Sequence, residues 1–153
     1  MSVSSLGSLE EVPRPTDVTL AAGIQRTQQF NAEGPLLTDV AGTLAVSVLS
    51  TPGMIAMIER NCAILALEHL PAGKATVGFE VCVKHVAGAL AGAACRTEAR
   101  LREIADGRKL RFDVEVRALD DGAAGERVIG LGTHERRIID VQQHSRSAGQ
   151  PQA

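Results

Sequence analysis

Between Pro52 and Pro71 the chain carries one long apolar run at helical spacing. Met54, Ile55, Ile58, Cys62, Leu65, Ala66 and Leu70 recur at intervals of three and four residues. Pro52 suits a first helical turn, where its missing N–H costs nothing. Thr51 before it is a residue type that caps helix N-termini, and Pro71 with Gly73 ends the run. A helix over about 52–70 is a rod of about 28 Å. Beyond Gly73 the period drops to two. Val77, Phe79, Val81, Val83 and His85 fall on one face of a strand. Cys95, Thr97, Ala99 and Leu101 alternate with Arg96, Glu98, Arg100 and Arg102. Leu110, Phe112, Val114, Val116 and Ala118 alternate with Lys109, Arg111, Asp113, Glu115 and Arg117. Such alternation belongs to an antiparallel sheet with one dry and one wet face. Asp106-Gly107 reads as a hairpin turn between two of these strands, and Asp121-Gly122 as the next turn. A last strand runs from about Glu126 to Asp140.

The sheet has one apolar face and a single long helix to cover it. Wrapping the sheet around that helix is the economical solution, which makes the expected class α+β with a hot-dog architecture. Asp17 to Phe30 reads as an irregular first strand. Asn31 to Thr43, with Gly34-Pro35 and Gly42, reads as a loop or lid. At 153 residues one domain is expected. It covers 16–141, with a flexible N-terminal arm over 1–15 and a disordered polar tail over 142–153. A sheet of this kind leaves an edge open, and a second copy would close it. A homodimer is therefore expected, with a tetramer as the larger alternative.

Composition removes several function classes. The net charge is −2, which gives no electrostatic case for nucleic acid. Three Phe with no Tyr or Trp leave no stacking platform for single strands. No apolar run reaches membrane-spanning length, and the N-terminus lacks the pattern of a signal peptide. Cys62, Cys82 and Cys95 are an odd set without a CxxC pair. They read as buried free thiols in a reducing, cytoplasmic setting, with no metal site among them.

Three polar residues interrupt this plan. Thr51 stands at the helix mouth, Glu59 on the helix's buried stripe, and His85 on the apolar strand face. The neighbours of Glu59 at three and four residues are Ile55, Ala56, Cys62 and Ala63, so no local cation explains the carboxylate. Arg60, Asn61 and Glu68 fall elsewhere on the helical wheel. A hydroxyl, a carboxylate and an imidazole are the parts of a nucleophilic or water-activating hydrolase site. Each also has a plain role: an N-cap threonine, an edge glutamate reaching water, a core-edge histidine. Thr51 and Glu59 lie about 12 Å apart along an ideal helix. They cannot meet at one atom unless Thr51 sits in a turned-back loop or the site draws on two subunits.

The stretch Ser50-Thr51-Pro52-Gly53-Met54-Ile55-Ala56-Met57-Ile58-Glu59 resembles the helix start of the fluoroacetyl-CoA thioesterase-like family of hot-dog proteins. Val77-Gly78-Phe79-Glu80-Val81-Cys82-Val83-Lys84-His85 resembles its next strand, and Gly130-Leu131-Gly132-Thr133-His134-Glu135-Arg136 its last. The resemblance covers roughly Val46 to Ile139. It implies an acyl-CoA thioesterase acting on a small or short-chain acyl group. It places the catalytic set on Thr51, Glu59 and His85, and a substrate-binding glycine on Gly78. Coenzyme A thioester is then the substrate, and no cofactor or metal is called for. Coenzyme A phosphates need cations, for which Arg100, Arg102 and Arg136 are candidates. The alternative is a non-catalytic acyl-CoA-binding dimer on the same fold; a hydratase is disfavoured by the motifs. Two departures stand out. Val86-Ala87-Gly88-Ala89-Leu90 replaces the small residues ending in Thr-Pro, and no Phe lies between Asn31 and Thr51. The second departure points away from fluoroacetyl-CoA as the substrate.

Overall fold

The computed structural model describes residues 12–120 and 125–149. The Asp121-Gly122 turn and most of the N-terminal arm lie outside them. Chain order is β1 (Gln25–Asn31), a 3-10 turn (Gly34–Leu36), β2 (Leu37–Thr38), β3 (Val48–Leu49), α1 (Thr51–Leu67), β4 (Lys74–His85), β5 (Ala94–Ala105), β6 (Lys109–Leu119), β7 (Glu126–Asp140) and α2 (Val141–Gly149). Five strands form one antiparallel sheet in the order β1-β5-β6-β7-β4, and β2 with β3 forms a small separate pair. The expected strand, helix and four further strands are all present. Helix α2 occupies part of the segment expected to lack structure. Arg14, assigned to the arm, donates hydrogen bonds to the carbonyls of Leu70, Pro71 and Lys74.

The core forms where the α1 stripe meets the dry sheet face. Met54, Ile58, Cys62, Leu65 and Ala66 from α1 pack with Leu101, Leu110, Phe112, Val116 and Ile129. The alternation read for β5 and β6 holds: Cys95, Thr97, Ala99, Leu101 and the Leu110–Ala118 set are all buried. Their polar partners form a ladder of ion pairs outside, including Arg96–Glu126 at 2.7 Å and Arg111–Glu135 at 2.9 Å. Asp106 and Gly107 both take positive φ in the β5–β6 turn, as that turn type demands. Asn61, placed off the buried stripe by the sequence, is fully buried. Its amide donates to the Arg26 carbonyl at 2.9 Å and accepts from the Arg26 guanidinium at 2.7 Å. Those two bonds meet the cost of burying it.

Two local departures from the sequence expectation position the site. The first is the helix cap, which is Ser50 rather than Thr51. Ser50 Oγ accepts from the Gly53 N–H at 2.9 Å, and Ser50 itself donates to the Leu36 carbonyl. The loop carrying Leu36 crosses the first turn so closely that a Cβ on Gly53 would lie 2.5 Å from the Leu36 oxygen. The second departure is a register shift in β4 between Gly78 and Glu80, opposite Arg136 and Glu135. This bulge reverses the alternation at Phe79. Val81, Val83 and His85 keep the inward phase, but Phe79 turns out, 60% exposed, with the Arg137 guanidinium 3.6 Å over its ring. Gly78 takes the inward place. Cys82 also differs from expectation: it is exposed, whereas Cys62 and Cys95 are buried. Burial pushes those two thiols up to about 12 and about 11, so both are inert at neutral pH.

Because the cap function rests on Ser50, Ser50→Ala should destabilise the fold by about 1 kcal/mol. Thr51→Ala should stay within about 0.5 kcal/mol. Urea unfolding of the two variants distinguishes them, and a larger loss from Thr51→Ala would return the cap to Thr51.

Candidate active site

With Ser50 serving as cap, the Thr51 hydroxyl is released from helix duty. Thr51 is the first helical residue, and its Oγ1 stands 2.9 Å from Nδ1 of His85. His85 reaches it from the C-terminal end of β4, which runs antiparallel to α1 at this point. Burial lowers the His85 pKa below the usual 6.5, so the ring is neutral at pH 7 and free to accept a proton. Its Nε2 is buried without a hydrogen-bond partner among the described residues. A hydroxyl in contact with a neutral imidazole is the minimal nucleophile–base pair. The helix N-terminus beneath it also favours any negative charge that develops there.

Glu59 lies two turns further along α1, in a second cluster. The carboxylate does have a cation, supplied from β7 rather than from its own helix. Arg136 Nη1 lies 3.6 Å from Glu59 Oε2. Arg136 is inside the protein, its side chain only 8% exposed, whereas that of Glu59 is 42% exposed. Arg136 Nε donates to Thr76 Oγ1 at 2.7 Å and Nη2 to the Thr76 carbonyl at 3.0 Å. Nη1 also meets His134 Nε2 at 3.2 Å, and His134 Nδ1 contacts the Glu80 carbonyl at 2.7 Å. Gly78 roofs this group. A Cβ there would lie 2.8 Å from Glu59 Oε2 and 3.5 Å from Arg136 Nη1. Its φ is not in the left-handed region, so a side chain at position 78 would displace the Glu59 carboxylate without straining the backbone.

The structure thus joins Thr51 with His85, and Glu59 with Gly78 and Arg136. Within one protomer the two groups stand about two helical turns apart, about 12 Å along α1. Arg136 spends its donors on protein acceptors inside the core and does not present them to solvent. Arg100 and Arg102, the other strand cations considered for phosphate, are both exposed, and Arg102 pairs with Asp113 at 3.2 Å. Sequence reasoning missed His134 as part of this group. Its signal was the place of His134 two residues before Arg136 on β7, in the same inward phase. Among the described residues no group of His, Cys, Asp and Glu is arranged to hold a metal ion, and no helix is long and apolar enough to cross a membrane.

Comparison with known proteins adds four findings. Residues 36–142 match the profile of the fluoroacetyl-CoA-specific thioesterase family, FlK. The fluoroacetyl-CoA thioesterase of Streptantibioticus cattleyicolor is 32% identical over 95 residues, which span 62% of this chain and 63% of that protein. Among solved structures, one of fluoroacetyl-CoA thioesterase FlK superposes with a TM-score of 0.72 at 24% identity, covering 86% of this chain and 98% of that one. A hot-dog-like protein from Thermanaerovibrio acidaminovorans superposes at 0.70 with 15% identity, covering 99% and 100%. The fold is therefore the hot-dog fold expected from the periodicities.

His85 and His134 both titrate below 6.5 in the folded protein, chiefly through burial. The unfolded chain then binds more protons than the folded one below that pH. Stability is complete above pH 6.5 and is lost as pH falls through the lowered folded values. Urea midpoints should fall between about pH 6.5 and about pH 5.5, above the carboxylate range. Midpoints that do not change over this window would contradict neutral buried rings.

Proposed function

The chain belongs to the fluoroacetyl-CoA-specific thioesterase family, and from that premise we propose that it is an acyl-CoA thioesterase working as a homodimer. Its substrate is a small or short-chain acyl-CoA. The observation that carries the reading is the 2.9 Å contact between Thr51 Oγ1 and His85 Nδ1, in a place where the cap is already supplied by Ser50. In this mechanism Thr51 attacks the thioester carbonyl carbon as its proton passes to His85. The C–S bond breaks, and His85 returns the proton to the departing thiolate. Water then hydrolyses the acyl-threonine, with His85 again as base. The backbone N–H of Gly78 from the second copy serves the developing oxyanion.

Glu59 enters this chemistry from the second copy. β4 is an edge strand in the order β1-β5-β6-β7-β4, and Gly78, Phe79, Glu80 and Cys82 along it are exposed. An exposed edge of this length is a template for antiparallel pairing with itself. The point midway between Gly78 and His85 falls at Val81–Cys82. Two-fold pairing centred there carries Gly78 and Glu59 of one copy towards Thr51 and His85 of the other. The negative charge of Glu59 then stabilises the imidazolium that forms on the partner's His85. Arg136 holds that carboxylate in place, a different role from the phosphate binding that the sequence suggested for it. The loop over Asn31–Thr51 has no Phe, which favours a substrate other than fluoroacetyl-CoA. The protein acts in the cytoplasm on this reading.

A panel of short acyl-CoA thioesters, followed by thiol release, tests the reaction. Turnover of at least one member is expected, and tight binding without release would establish a non-catalytic binding dimer instead. Glu59→Gln should cost roughly two decades in turnover while the protein stays folded. Thr51→Ala and His85→Ala should each abolish most activity, with the double variant no worse than either, because the two act as a unit. Rapid quenching and intact-mass measurement should show an acyl adduct on Thr51. Its absence, with additive mutant losses, would favour direct attack by water.

A further inference from the structure

We propose that His134 is a positioning residue that aims Arg136 at Glu59 and so fixes the carboxylate of the active site. The inference rests on the thioesterase reading above for its consequence, but on geometry alone for its cause. His134 is 1% exposed on β7, its ring stacked on Phe112 with centroids 6.4 Å apart. The partners of its two nitrogens dictate the tautomer. Nδ1 faces the Glu80 carbonyl, which can only accept, so Nδ1 carries the proton. Nε2 faces an arginine N–H, which can only donate, so Nε2 offers its lone pair. A neutral imidazole is the one form that satisfies both. A protonated ring would set an N–H and a positive charge against the guanidinium.

Arg136 has five N–H donors in a fixed plane. Nε and one Nη2 donor are spent on Thr76. The His134 bond to Nη1 fixes the remaining corner of the guanidinium, whose Nη1 lies 3.6 Å from Glu59 Oε2. The same three side chains converge beneath Gly78, where a Cβ would lie 3.7 Å from His134 Cε1. The Glu80 carbonyl that orients His134 belongs to the residue where β4 resumes its pairing after the bulge. The irregularity that opens space at Gly78 therefore also supplies the anchor for the ring. His134 touches neither Glu59 nor any reacting atom, so its effect passes through Arg136.

The charged and titratable groups facing His134 are Arg136 from its own strand and Glu59 from α1. Protonation of His134 at acid pH should therefore release Arg136 and lower kcat on the acid side of an activity profile.

The test uses the full chain with His134→Leu, which removes both ring nitrogens, and His134→Gln, whose amide oxygen can still accept from Arg136. Both are measured alone and with Glu59→Gln, after circular dichroism confirms folding. His134→Leu should lower kcat by up to about 10²-fold, the cost of displacing a catalytic group by about 1 Å, with KM nearly unchanged. His134→Gln should recover much of that loss. In the Glu59→Gln background neither substitution should lower kcat further. Equal fractional losses in both backgrounds, or an unchanged kcat in folded His134→Leu, would overturn the proposal. Nitrogen-15 NMR provides an independent readout. It should show the Nδ1–H tautomer of His134 and an immobile Arg136 guanidinium that becomes mobile in His134→Leu. If the wild type hydrolyses no thioester, the thioesterase reading fails, and the NMR outcome still decides whether His134 positions Arg136. A guanidinium equally rigid without His134 would rule it out.

Discussion

One helix must cover one face of a five-stranded sheet. That constraint shapes almost everything else in this protein. The seventeen residues of α1 are the sole long apolar rod available to the core among the described residues, so its stripe and the dry faces of β4–β7 are committed to each other. Burying that surface is the dominant favourable term in folding. A polar group on the shared surface is costly unless it finds a partner. Asn61 finds Arg26, and the buried Arg136 finds Thr76, His134 and the half-exposed Glu59. The helix N-terminus lies beside the C-terminal end of β4, and the contact between Thr51 and His85 follows from that placement.

The plan of the fold was legible because its signals are periodic and local. The 3.6 spacing of Met54 to Leu70 and the strict alternation of Leu110 to Ala118 each identify an element without knowledge of the rest of the chain. The bulge at Phe79 was not legible. Val77, Phe79, Val81 and Val83 alternate without a break, and only a glycine inside the strand hints that backbone or side chains come close there. The cap was ambiguous because Ser50 and Thr51 are adjacent and both are good cap residues. Only the crossing loop at Leu36 decides between them.

The site was legible as three residue types in the wrong kind of place, but their grouping was not. The partner of Glu59 is Arg136, far away in sequence, and no helical-wheel argument can reach it. Nor could spacing show that Glu59 and Thr51 stand apart in one protomer. That separation is the most consequential feature of the structure. It leaves a hydroxyl–imidazole pair at one end of α1 and a carboxylate beside Arg136 two turns away, both close to the edge strand β4. On the reading proposed above, two-fold pairing along that edge would unite them. In such a dimer the bulge, the glycine at position 78 and the buried His134–Arg136 pair would serve a single end, a carboxylate held still at the subunit boundary.

Subunit complementation tests this account most directly. Thr51→Ala and Glu59→Gln are each expected to be nearly inactive alone. When the two are mixed under conditions that allow subunits to exchange, half the dimers are hybrids. Each hybrid has one site with Thr51 and His85 from one copy and Glu59 from the other. Thioester turnover should recover to about a quarter of the wild-type value. No recovery after exchange, verified by mass spectrometry of the hybrid, would place all three residues of a working site in one protomer and contradict the account.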